Sequence, residues 1–162
     1  MSIRKTTDKI VVHCTATKPS MDIDSAWIDK LHRSQGWLSI GYHKVIKRDG
    51  SIENGRDLDE VGAHVKNHNS TSIGIAMVGG VDDELKPENN YTDKQFSALG
   101  VLLSSLSQEY PDAEIIGHRD LDSNKECPSF DVKQWVASNI DNVTPPSDCL
   151  LYTSDAADDT CC

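Results

Sequence analysis

Lys9-Ile-Val-Val-His-Cys14 is the stretch that decides the fold. It is short, β-branched and almost wholly apolar, which is the pattern of a strand buried on both faces. Such a strand needs partners of the same kind, and the chain supplies them. Ser72-Ile-Gly-Ile-Ala-Met-Val78 is a second apolar run, ended by Gly79-Gly80, and Ala113-Glu-Ile-Ile116 is a third, leading into Gly117-His118. Tyr42 to Lys47 and Ile52-Glu53, joined across Asp49-Gly50, read as a hairpin. Helical segments alternate with these strands. Asp24 can cap a helix running to about Gln35, with Gly36 as its stop. Thr92 and Gln95 form the capping-box pattern ahead of a stripe of Phe96, Leu99, Leu102, Leu103 and Leu106, and Pro111 closes that helix. A last helix spans about Asp131 to Asn139, with Val132, Trp135 and Val136 turned inward. Interleaved strands and helices predict an α/β fold: a central mixed β-sheet flanked by helices.

The chain has 162 residues, enough for one domain. No apolar run reaches the ~20 residues of a membrane span, and the N-terminus shows no signal-peptide pattern, so no stable membrane insertion is expected. Against 26 acidic residues stand 16 basic ones, a formal net charge of -10, which argues against nucleic-acid binding through a broad basic face. Five cysteines, at positions 14, 127, 149, 161 and 162, lack the spacing of a disulfide framework. Three of them fall in the segment CLLYTSDAADDTCC, residues 149–162, which follows a linker-like Thr144-Pro-Pro-Ser. That string resembles a translated sequencing-adapter segment; the alternative is a genuine disordered terminus, and neither gives it a catalytic role. A single domain over residues 1–148 is therefore expected, with Cys14 and Cys127 as the cysteines to explain.

His13 late in the first strand, His118 just after a strand, and Cys127 have the residue types of a zinc site. Two imidazoles and a thiolate suit Zn²⁺, and three protein ligands leave a fourth position open, as in catalytic sites. Spacing alone does not select these three from six histidines and five cysteines. Strand alternation turns Cys14 away from the side His13 faces, so Cys14 reads as a small buried apolar residue. Cys127 precedes Pro128, which favours an extended backbone with Lys125 and Cys127 on one side. His32, on a helix, reads as a surface residue. His43, next to Tyr42 on a strand, should face the opposite side and be structural, and His68 reads as a loop residue.

Five blocks in order carry a resemblance: IVVHCTATKPS, GWLSIGYHKVIKRDGSIENGR, GAHVKNHNSTSIGIAMVGG, GHRDL and KECPSFDVKQW. From about Lys9 to Trp135 the chain resembles the N-acetylmuramoyl-L-alanine amidases of the zinc amidase superfamily that includes peptidoglycan-recognition proteins, in particular the small amidase endolysins of T-odd tailed phages. The resemblance implies a zinc groove on one face of the sheet, with His13, His118 and Cys127 as ligands. It implies Tyr42 and Lys125 as the essential catalytic residues and His64 as a substrate-binding histidine beside the groove. Lys44, where those endolysins usually have an aromatic residue, and the segment GHRDLDSNKEC, closer to the wider superfamily, are departures that bear on substrate preference.

The function so implied is zinc-dependent hydrolysis of the amide between N-acetylmuramic acid and L-alanine in peptidoglycan, causing host lysis. Synthesis in the host cytoplasm and pore-mediated release to the wall go with it, as does a monomer. A muropeptide-recycling amidase would use the same residues. Some superfamily members lack the cysteine ligand and only bind peptidoglycan; Cys127 argues for the enzyme. The resembled endolysins also bind and inhibit the phage's single-subunit RNA polymerase, a partner expected here on that ground alone.

Overall fold

β1 (Lys9–Cys14) lies near the middle of a five-stranded sheet, paired in parallel with β4 (Ser72–Met77) on one side and β5 (Glu114–Gly117) on the other. The computed structural model describes residues 3–140. The 149–162 tail and its linker lie outside the described residues. β2 (Lys44–Ile46) runs parallel to β4, and β3 (Ile52–Asn54) is the antiparallel edge, giving the order β3-β2-β4-β1-β5. The mixed sheet expected from the sequence is present, and its strands are the ones read there. Gly50, at φ +89°, closes the β2–β3 hairpin, where its amide donates to the Lys47 carbonyl at 2.9 Å.

Register sorts the residues by face. Ile10, Val12 and Cys14 on β1 stand with Ile73, Ile75 and Met77 on β4 and with Ile115 on β5. This face carries the main core, sealed by α2 (Asp93–Glu109) and α3 (Val132–Asn139). Leu99, Leu102, Leu103 and Leu106 of α2 are all buried there, each worth roughly 1.5–3 kcal/mol of burial. The capping box at Thr92 is formed in both directions, and Asp131 caps α3. The opposite face holds Val11, His13, Gly74, Ala76 and Ile116. Val65 packs over part of it. α1 (Ser25–Ser34), capped by Asp24, packs with Ile23 and Ile28 against Ile40, Val45 and Val78. Between these two small clusters the second face is left to polar side chains.

Among the described residues no helix is long and apolar enough to cross a membrane.

Candidate metal centre and groove

Because β1 and β5 are parallel, with Val12 level with Gly117, their carboxyl ends open on the same edge. His13 sits at the end of one and His118 immediately follows the other, so strand pairing alone brings the two rings to 4.6 Å between centroids. Carboxyl edges of parallel strands are where open α/β sheets place their sites. Cys127 arrives from the loop after β5, and the Cys14 amide donates to its Sγ at 2.9 Å. One ligand atom from each of His13, His118 and Cys127 lies within 4.8 Å of the others. Zn–N and Zn–S bonds of about 2.0–2.3 Å reach donors at that spacing after a small contraction, and the N, N, S set has the softness zinc favours. The donor set fits the ion.

Burial sets the charge of the candidate ligands. Burial pulls His13 well below the ordinary imidazole range, helped by His64 and His118. His118 is lowered by burial, assisted by Lys125 and opposed by Asp122. Both rings are therefore neutral at pH 7, the form that binds metal. The Cys127 thiol lies against that of Cys14, and this contact with burial pushes it well up. Cys14 belongs to the apolar core, as alternation predicts.

Tyr42 packs beside His13, with ring centroids 5.2 Å apart, and burial near the two thiols raises its phenol so that it stays protonated. Lys125 is exposed on the wall of a groove of about 700 Å³ that Trp37, Lys66, Asn67, His118 and Asp122 also line. The segment carrying Lys125 is not extended as Pro128 suggested. Its amide donates to the Asp122 carbonyl and the Ser129 amide to that of Glu126, so a pair of turns presents Lys125 and Cys127.

Among the remaining histidines, His32 departs from its sequence reading. His32 is not on the surface. It is 7% exposed, its Nδ1 accepts from the Gly41 amide at 2.9 Å, and its ring lies between Trp37 and Tyr42. The loop after α1 folds back over it, which periodicity within the helix cannot reveal. His43 is structural, as read, and fully buried: Nε2 donates to the Glu60 carbonyl at 2.7 Å and Nδ1 accepts from the Gly74 amide at 2.9 Å. Its turn away from Tyr42's side holds only in part. Both residues precede β2, where strict alternation begins, and the His43 ring contacts that of His64. His64 lines the groove, but its Nδ1 is 2.8 Å from His13 Nε2 and its Nε2 is 3.2 Å from Ser72 Oγ. His68 is a loop residue whose carbonyl accepts from Ser72 Oγ at 2.7 Å. Ser72 and Gly74 escaped the sequence reading. The signal was the run of small residues, Ser72, Gly74 and Ala76, on one face of an apolar strand.

Comparison with known proteins bears on this geometry. Residues 4–130 match the family model described as N-acetylmuramoyl-L-alanine amidase. The chain is 50% identical over 133 residues to the endolysin of Enterobacteria phage K11, covering 82% of this chain and 87% of that one. It is 46% identical over 136 residues to the endolysin of Escherichia phage T7, covering 84% and 89%. Among solved structures, the N-acetylmuramoyl-L-alanine amidase LysC from Clostridium intestinale URNW superposes with a TM-score of 0.71 at 27% identity, covering 87% of this chain and 95% of that one. Drosophila PGRP-LB, at 20% identity and a TM-score of 0.70 over 88% of each chain, shares the fold. With that match running from before β1 to just past Cys127, the chain belongs to the N-acetylmuramoyl-L-alanine amidase family.

Proposed function

We propose that this protein is a zinc-dependent endolysin that hydrolyses the amide joining the lactyl group of N-acetylmuramic acid to L-alanine in peptidoglycan. The observation that carries the reading is the convergence of His13, His118 and Cys127 within 4.8 Å beside a groove of about 700 Å³. His13, His118 and Cys127 would hold Zn²⁺, which would supply a Lewis acid and lower the pKa of a water from about 15.7 toward 7. The rest of the chemistry belongs to side chains. Hydrolysis would join a water oxygen to the lactyl carbonyl carbon as the C–N bond breaks, giving a carboxylate and the free α-amino group of L-alanine. Lys125 brings a cationic ammonium to the groove wall, where it stabilises the oxygen that gains negative charge. Tyr42, held protonated, donates a hydrogen bond to that oxygen or passes a proton to the departing amine. Substrate enters along the groove between Trp37 and Lys125.

Host lysis follows from wall degradation, with synthesis in the host cytoplasm and passage to the wall through a separate pore. The identity to two phage endolysins at 46–50% supports that biological setting.

Turbidity clearing of purified peptidoglycan, with metal content measured on the same sample, tests the reading. Clearing should release free amino groups without new reducing ends, stop on full chelation and return with zinc. New reducing ends would make the protein a glycosidase, and clearing that survives metal removal would overturn the mechanism.

A further inference from the structure

His64 carries two hydrogen bonds whose direction is fixed by their far end. The chain stops at the His68 carbonyl, which can only accept, so the Ser72 hydroxyl proton points there over 2.7 Å. Ser72 Oγ then has lone pairs only for His64 Nε2, 3.2 Å away, and His64 must carry its proton on Nε2. A neutral ring protonated there has a bare Nδ1, which accepts from His13 Nε2 at 2.8 Å. His13 is thereby protonated on Nε2, leaving Nδ1 as its free lone pair.

The sheet is cut to hold this chain. A Cβ on Gly74 would lie 2.6 Å from His64 Cγ, and one on Gly62 would lie 2.8 Å from its Cδ2. Gly74 stands between Ser72 and Ala76 on the face that carries His13. The imidazole therefore lies flat on the strand where the side chain is missing, reaching Ser72 at one end and His13 at the other. Asn69 fixes its backbone, since Oδ1 accepts from the amides of His64 and Val65 at 2.8 and 2.9 Å.

We propose that His64 is a positioning residue: with Ser72 and the His68 carbonyl, it selects the His13 tautomer that offers Nδ1 to the metal and locks the ring's orientation. This role takes both ring nitrogens, in place of the substrate contact implied by resemblance. The inference rests on the zinc reading above. Partners of this kind in metal sites are typically worth 10–100-fold in metal affinity.

Two measurements test it, and neither reads activity. Long-range ¹H–¹⁵N correlation spectra of the metal-free wild type should show His13 and His64 both protonated on Nε2; a His13 proton on Nδ1 overturns the proposal without any variant. Zinc affinity by chelator competition should fall 10–100-fold in His64→Leu. It should largely recover in His64→Gln, whose amide oxygen can accept from His13 while its NH₂ donates to Ser72. Ser72→Ala should release the His64 tautomer and weaken zinc binding in the same direction. Wild-type affinity in His64→Leu sinks the positioning role while leaving the metal site standing. A wild type that binds no zinc sinks the metal reading itself.

Discussion

Lys125 shows how little a single residue's type reveals. It is a charged side chain on a turn, exposed, and only the fold puts it on the groove wall with His118, where the proposed role would place it. Losing one donor to a developing oxyanion typically slows a reaction ~10²–10³-fold. Lys125→Ala should therefore lose that much in amide-bond turnover while zinc content, measured on the same protein, stays at the wild-type level. Near-full activity in the variant would remove its assigned role. At this scale the sequence pointed to candidate ligands and was uninformative about the residues that hold them in place. His13, His118 and Cys127 have residue types that suit zinc, but it was the resembling blocks, and not their spacing, that singled them out; the fold brings their ligand atoms within 4.8 Å. His32 and His64 are not legible, because their partners, the Gly41 amide for one and His13 with Ser72 for the other, are assembled only when loops fold back.

Elements were more legible, since each advertises itself within about ten residues. α1 begins after Asp24 and ends before Gly36, whose φ of +94° suits glycine. α2 begins after Thr92, whose side chain accepts from the Gln95 amide at 3.1 Å while its own amide donates to Gln95 Oε1 at 2.9 Å. Thr92 Oγ1 also donates to the Arg48 carbonyl at 2.6 Å, tying the helix to the β2–β3 hairpin. Removing an N-cap side chain costs ~0.5–2 kcal/mol, and this one serves two elements, so Thr92→Ala should fall in the upper part of that range. A urea titration with an unchanged slope and a lower midpoint would register it; an unchanged midpoint would show that Gln95 and the hairpin hold without it. The segment from about Asn54 to Thr71 is rich in polar residues, the composition of a loop, and after β3 it has almost no regular structure. Only a short 3₁₀ turn, Asn69–Thr71, breaks it, and its conformation is held by contacts such as Asn69 Oδ1 to the His64 and Val65 amides.

For the whole molecule the strand order was not legible. Apolar runs say that strands are buried, and nothing in them says that β1 sits between β4 and β5. That order sets the charge behaviour, because it encloses imidazoles that an unfolded chain would expose. Burial pulls His43 down to about 4 from the ordinary imidazole value of about 6.5. Between those values the unfolded chain binds a proton that the native state does not, so stability falls as the pH drops from about 6.5 toward 4 and levels off below. A shift of this size corresponds to about 3 kcal/mol. Urea midpoints of the metal-free protein should accordingly drop between pH 7 and pH 4.5, and a flat profile would mean that His43 titrates normally. A bound zinc ion would add a second whole-molecule effect. Zinc at 100 times its dissociation constant should stabilise the native state by about 2.7 kcal/mol, so melting of the zinc-loaded protein should fall by several degrees on full chelation. No shift would mean that the ion binds the unfolded chain equally well.

The contact between the Cys14 amide and Cys127 Sγ joins positions 113 residues apart. A ribosome that has made the first strand has only one of the three ligands, and the second appears only after β5. The centre can close only once the turn bearing Cys127 has cleared the exit tunnel, when nearly the whole described domain already exists. A fragment that ends before Cys127 lacks the third candidate ligand, so the proposed centre cannot form on it, and only α3 and the residues beyond it remain to be made once that turn is complete.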